Sequence, residues 1–197
     1  MDLYNSSFLD AFDFVQSKLF INQMKKELFH FHSIIEDYLP KVSTVLEIGN
    51  RNGGNLCLFA RFLDRNGMLI GIDPEEITPL DVPLISSIVL PVTFKFIKGR
   101  SQDYTIFDQI IHLVENRGID ILFIDGDHTY EAVKSDYEMY APLVNHPGLI
   151  IFHDIGGFES SNPDWPANFW FKELRKHKPY IEIVSNPPIC GLGILPV

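Results

Sequence analysis

Short apolar runs alternate along this chain with amphipathic stretches and turn residues. Thr44–Ile48, Met68–Ile72, Thr93–Ile97, Ile119–Ile124 and Leu149–Phe152 are rich in β-branched and aromatic residues and end at polar or glycine positions. That pattern predicts buried strands. Leu56–Leu63, Phe107–Val114 and Tyr130–Tyr140 predict helices between them. Asn22 can cap an earlier helix that places Leu28, Phe31, Ile34, Ile35 and Leu39 on one face and ends at Pro40. Asn66-Gly67 predicts a turn. Pro79, Pro83 and Pro91 argue against a long regular helix over Glu75–Pro91. Gly156–Pro166 reads as a loop, Asn168–His177 as a helix, and Tyr180–Val184 and Gly191–Leu195 as two last strands.

Strands that alternate with helices predict an α/β domain whose largely parallel sheet is covered on both faces. In such sheets a ligand sits beyond the carboxyl ends of the strands. Residues 41–197 are expected to form this domain. Residues 1–40, with Tyr4, Phe8, Phe12, Phe14 and Phe20 near the start, are expected to form a helical arm packed on it or on a second subunit. A homodimer is one way to cover that arm.

Charge narrows the function classes. The 197 residues carry 16 Lys+Arg against 26 Asp+Glu, a formal net charge of −10. Nucleic-acid binding and adhesion to anionic membranes both rest on clustered cations, so neither is expected. The first residues lack a basic segment followed by an apolar one, and no apolar run approaches the ~20 residues that span a bilayer. A cytoplasmic protein is expected. Cys57 and Cys190 make no disulfide framework and read as reduced, structural cysteines.

The first strand runs straight into Glu47-Ile-Gly49-Asn50-Arg51-Asn-Gly53-Gly54-Asn55. Glycines at such a turn let the backbone approach a ligand closely. A dinucleotide fingerprint would place its second glycine at position 51, where this chain has Arg, and no Gly-Lys-Ser/Thr follows for a phosphate loop. Glu47, two residues before the first glycine, suits a cationic or amine-bearing ligand. Asp73, at the next strand end, is placed to accept hydrogen bonds from ribose hydroxyls.

Glu-x-Gly-x-x-x-Gly, followed by Gly71-Ile-Asp73-Pro74 at the second strand end, resembles the class I S-adenosylmethionine-dependent methyltransferases. The resemblance spans roughly Val42–Val197. It implies a three-layer Rossmann-like fold with a seven-stranded, mostly parallel sheet and an antiparallel last strand. It also implies that Glu47, Gly49, Asn50, Arg51, Gly53 and Asn55 surround the methionine part of the cofactor. Asp73 would hold the ribose, and Gly99, Arg100 and Ser101 would border the adenine. Arg51 departs from the commoner Glu-x-Gly-x-Gly-x-Gly form, which leaves the local backbone path open.

Two further strand ends carry acids and imidazoles: Asp125-Gly-Asp127-His128-Thr-Tyr130-Glu131 and His153-Asp154. Oxygen ligands at that edge suit Mg²⁺, and a neutral imidazole among them would tolerate Mn²⁺ or Zn²⁺. This pattern resembles the branch that includes cephalosporin-hydroxylase-like proteins and sugar or macrolide O-methyltransferases. The branch implies a divalent cation held by Asp125, His153 and Asp154, with Asp125 also beside the cofactor. His at position 153, where relatives carry an acid, leaves metal dependence open. His128 and His153 are the two candidate bases, since imidazole titrates near neutrality. Asp127 reads as a carboxylate at a helix start. His30, His32, His112, His146 and His177 fall away from these ends and read as solvated or satisfied in the core. Phe158 and Trp165 are candidates to cover an acceptor.

The expected function is methyl transfer from S-adenosylmethionine to a hydroxyl of a small-molecule acceptor. A metal-dependent hydroxylase or hydrolase, or a non-catalytic nucleotide-binding module on the same fold, is the alternative.

Overall fold

The computed structural model describes residues 2–39, 41–75, 81–156, 166–176, 179–184 and 190–197. Helices α1 (Phe8–Gln16) and α2 (Lys25–Tyr38) precede strand β1 (Val42–Ile48). Then follow α3 (Gly54–Phe59), β2 (Leu63–Asp73), α4 (Asp81–Val89), β3 (Thr93–Lys98), α5 (Tyr104–Val114) and β4 (Ile119–Ile124). The chain continues through α6 (Tyr130–Tyr140), β5 (Val144–Phe152), α7 (Pro166–Lys172), β6 (Ile181–Ile183) and β7 (Leu192–Pro196). The sheet order is β3-β2-β1-β4-β5-β7-β6. β7 runs antiparallel to both β5 and β6, and every other pairing is parallel. The expected seven-stranded sheet with a reversed last strand is therefore present.

Each strand divides its residues between two cores, as the twofold alternation of a strand requires. Val45, Leu69, Phe123 and Ile151 face one layer, with α1 to α4. Leu46, Ile70, Leu122, Ile124 and Phe152 face the other, with α5 to α7. Both faces are thus apolar and covered, which makes the central strands near-continuous hydrophobic runs. Leu3, Ala11, Val15, Leu28, Phe31 and Ile35 join the first core. Arg61 ties the segment before α1 to α3's end, donating from its guanidinium to the carbonyls of Leu3 and Ser6.

Two strands begin earlier than the sequence suggested, for one reason. In β2, Val42 pairs with Leu63 and Thr44 already with Met68, so the residues around Asn66-Gly67 bulge out of register. In β5, Ile119 pairs with Val144 and Ile121 with Leu149, so Asn145–Gly148 bulges in the same way. The turn residues are where they were expected, but pairing resumes across them. α4 forms despite Pro83, which falls in the first turn, where a missing N–H costs little. The helices predicted over Leu56–Leu63 and Asn168–His177 begin earlier and end in short 3₁₀ turns. Among the described residues, no helix is long and apolar enough to cross a membrane.

Candidate functional site

The strand order reverses between β1 and β4, and the backbone ladder runs one residue past the strands there. Gly49 N–H donates to Ile72 O, Asp125 N–H to Ile48 O, and His153 N–H to Ile124 O. Gly49, Asp125 and His153 therefore emerge side by side. Gly49 has φ 84°, and a Cβ there would lie 2.1 Å from Asp125 O, so no larger residue fits. Beyond these ends lies a cavity of about 350 Å³, within the range of small-molecule sites. Gly49, Arg51, Asp73, Gly99, Arg100, Ser101, Asp125 and His128 all line it.

Arg51 resolves the open backbone path. It takes up a left-handed conformation, φ 43°, at the position where the commoner motif has glycine. Its N–H donates to Asp73 Oδ2 at 2.8 Å, while Glu75 N–H donates to Oδ1 at 2.9 Å. Asp73 thus shapes the turn as well as facing the cavity. An ionised carboxylate has about four acceptor sites, so each oxygen can still accept from a ligand hydroxyl.

Glu47, Asn50 and Asn55 do not line the large cavity. They line a small polar cleft beside it, with Asn22 and Gln23. Glu47 is 1% exposed, and Asn55 Nδ2 donates to its Oε1 at 2.6 Å. Its Oε2 is buried with no hydrogen-bond partner among the described residues. Burial pushes the Glu47 carboxyl up to about 8, and Asp125 and Asp73 add to the shift against the Asn55 hydrogen bond. Gly53 caps α3 with φ 74°, facing Ile85.

Asp125 is the hub of the acidic edge. Its Oδ1 meets His153 Nδ1 at 3.1 Å and His128 Nε2 at 3.3 Å. Its Oδ2 accepts from Gln23 Nε2. Asp154, held at φ 56°, turns back to lie 3.5 Å from His128 Nδ1 and 3.4 Å from His153 Nδ1. Burial opposes the charge on Asp125, but the two imidazoles outweigh it and hold its carboxyl at about 2. Burial likewise opposes charge on His153, yet Asp125 and Asp154 push it up to about 10. His128 is raised too, chiefly by its hydrogen bond to Asp125.

The two imidazoles are not equivalent. His128 faces the cavity, and one donor atom each from Asp125, His128 and Asp154 lies within 4.8 Å of the others. His153 has a side chain only 4% exposed and does not line the cavity. Asp127 accepts from Thr129 N–H just before α6 and pairs with Arg100 at 3.4 Å.

Sequence reasoning read Asn22 as a helix cap and missed Gln23; α2 instead begins at Lys25 after Met24, and Asn22 and Gln23 both reach the site from the segment between α1 and α2. Nothing local to those two residues marks them as part of a site. It also read His32 as solvated or satisfied. His32 is instead packed among Phe8, Phe59 and Phe62 with neither ring nitrogen paired among the described residues, and burial drives it well below its usual value. Phe158, Trp165 and His177 lie outside the described residues.

The profile of a methyltransferase-domain family matches residues 46–155, which contain the Gly-rich turn, Asp73 and the acidic strand ends. The chain belongs to that family. An uncharacterized protein of Acanthamoeba polyphaga mimivirus is 33% identical over 200 residues, covering 89% of each chain. Among solved structures, the O-methyltransferase TomG of Streptomyces achromogenes, involved in tomaymycin synthesis and bound to S-adenosylmethionine, superposes with a TM-score of 0.61. It is 16% identical over 98% of this chain and 90% of its own. The methyltransferase MycE of the mycinamycin biosynthetic pathway, in complex with Mg and S-adenosylhomocysteine, gives a TM-score of 0.60 at 19% identity over 98% of this chain. The chain spans about half, 54%, of MycE. These neighbours share the three-layer fold of S-adenosylmethionine-dependent methyltransferases.

Proposed function

We propose that this protein transfers the methyl group of S-adenosylmethionine to a hydroxyl oxygen of a small molecule, with a divalent cation, Mg²⁺ or Mn²⁺, at Asp125, His128 and Asp154. The observation that carries this reading is the cavity at the β1/β4 strand ends, lined by Asp73, Asp125 and His128. TomG and MycE, which share the fold, are methyltransferases whose structures hold the methyl donor or its product.

The residues fit the cofactor. Glu47 Oε2 is buried with no hydrogen-bond partner among the described residues, and an ammonium group such as the amine of the methionine part would pair with it once the proton that burial favours is displaced. Asp73 would hold the ribose hydroxyls, and Gly99, Arg100 and Ser101 would border the adenine. Asp125 and Asp154 supply hard oxygen donors and His128 a nitrogen, a set that suits Mg²⁺ or Mn²⁺. His128 takes the place of His153 in the set expected from sequence, because His128 lines the cavity with its donor atom within 4.8 Å of those of Asp125 and Asp154, whereas His153 does not line it.

When bound, the cofactor supplies a reactive methyl group and the cation a Lewis acid at the acceptor oxygen. The protein's own part is alignment: Asp73 and Glu47 fix the donor, while Asp125 and Asp154 fix the acceptor side. A second reading follows from His128 lining the cavity. There, without a cation, its imidazole takes the hydroxyl proton.

The test is methyl transfer from labelled S-adenosylmethionine across a panel of hydroxyl acceptors, with EDTA and with Mg²⁺ or Mn²⁺ restored. Turnover that EDTA abolishes and the ions restore supports the cation. Turnover that survives EDTA but is lost in His128→Gln assigns the proton to His128. No turnover with any hydroxyl acceptor, despite cofactor binding, counts against O-methylation.

A further inference from the structure

His153 presents a second face. Its Nδ1 points at Asp125 and Asp154, and its other ring nitrogen, Nε2, is buried without a hydrogen-bond partner among the described residues. Leaving a buried polar atom unpaired is costly, so it calls for an explanation. One is at hand. One donor atom each from Glu27, His153 and Cys190 lies within 4.8 Å of the other two. Glu27 comes from α2, His153 from the end of β5, and Cys190 from just before β7, so three distant parts of the chain converge.

We propose that Glu27, His153 and Cys190 form a second metal site, for a thiophilic divalent ion of the Zn²⁺ type, with the unpartnered Nε2 of His153 as its nitrogen ligand. The donor set decides the metal. Carboxylate oxygen, imidazole nitrogen and thiolate sulfur are the three ligand types of Zn²⁺ sites, whereas thiolate is foreign to Mg²⁺. The surroundings match as well. Metal-ligating histidines commonly donate their free ring N–H to a carboxylate, which fixes the tautomer and aims the other nitrogen at the ion. Asp125 and Asp154 stand in that place, on Nδ1. Three protein ligands leave a fourth position for water or a further donor. Such an ion would tie α2 to the carboxyl edge of the sheet and lock the ring that positions Asp125. Nothing in this inference depends on the methyl acceptor or on a cation at Asp125, His128 and Asp154.

The test is Co²⁺ titration of the metal-free, full-length protein, followed by optical absorption. Thiolate ligation gives an intense near-ultraviolet charge-transfer band that a carboxylate–imidazole site lacks. The expected result is one equivalent of Co²⁺ producing that band, displaced by stoichiometric Zn²⁺ and not by a large excess of Mg²⁺. Cys190→Ser should abolish the band, Glu27→Gln should weaken Zn²⁺ binding at least tenfold, and His128→Gln should leave both intact. Circular dichroism identifies a variant that fails to fold, and the wild-type band with its Zn²⁺ and Mg²⁺ competition then decides alone. Absence of the band in the wild type, its persistence in Cys190→Ser, or its loss in a folded His128→Gln would each overturn the proposal.

Discussion

Gln23 and Asp125 lie 102 positions apart, yet the Gln23 side-chain amide donates to Asp125 Oδ2 at 2.5 Å. The connection between α1 and α2 is thereby part of the wall of the site. Removing the amide leaves a charged acceptor nearly buried and one hydrogen bond short. Gln23→Ala should cost about 1–3 kcal/mol of stability, measured by urea unfolding. It should also lower methyl transfer. A variant with wild-type stability and turnover would mean that this contact is dispensable.

Asp73 shapes the turn and, on the proposed reading, also holds the ribose, and substitutions separate the two roles. Asp73→Ala should weaken S-adenosylmethionine binding at least tenfold, about 1.4 kcal/mol, in calorimetry. It should also loosen the turn, because the N–H groups of Arg51 and Glu75 lose their acceptor. Asp73→Asn keeps one acceptor oxygen and should recover part of the stability. Unchanged affinity in Asp73→Ala would remove the residue from the binding site.

Arg51 sits in left-handed backbone, φ 43°, which costs a non-glycine residue roughly 1–2 kcal/mol. Glycine avoids that cost but adds freedom to the unfolded chain worth about 0.5–1 kcal/mol. Arg51→Gly should therefore stabilise the protein by about 0.5–1 kcal/mol in denaturant titration. A destabilised Arg51→Gly would show that the guanidinium makes contacts worth more than the strain.

Glu47 and His32 give stability opposite pH dependences. Glu47 has a folded-state value of about 8 against 4.5 unfolded, so the folded state holds the proton more tightly. Its contribution is full below about 4.5 and is lost as pH rises to about 8. His32 is lowered in the folded state, so its contribution is full above 6.5 and is lost as pH falls below that. Relative to wild type, Glu47→Gln should gain stability between about pH 4.5 and 8. His32→Phe, which also removes two unpaired buried nitrogens, should be more stable by about 1–2 kcal/mol, increasingly so below pH 6.5. Parallel pH–stability curves for wild type and either variant would contradict the assignment.

On the proposed reading, in which Glu47 receives the amine of the cofactor, it also links pH to binding. With the carboxyl protonated at neutral pH, an arriving ammonium favours the carboxylate and expels the proton. Calorimetry of S-adenosylmethionine at pH 7 should show close to one proton released, seen as an enthalpy that varies with buffer ionisation. Glu47→Gln should remove that variation.

Much of this was legible in the sequence because it depends on local pattern. β4 and α6 begin and end where periodicity and flanking residues place them, and Glu47, Asp73 and Asp125 fall at strand ends because apolar runs stop there. What was hidden depends on distance or orientation. The starts of β2 and β5 were missed because re-pairing across a bulge is decided by the neighbouring strand. Gln23 was missed because only folding of α1 and α2 onto the sheet brings it to Asp125. The different placements of His128 and His153 follow from which ring edge meets Asp125, and no spacing rule reports that.

The most direct test of the central claim is a thermal-shift titration with S-adenosylmethionine and S-adenosylhomocysteine, with and without Mg²⁺, and with NAD⁺ as control. Ligand that binds only the folded state adds about 2.7 kcal/mol at a hundredfold excess over Kd. The account predicts a dose-dependent rise in Tm with both sulfur compounds and none with NAD⁺. No shift with either, or a shift with NAD⁺ alone, would contradict it.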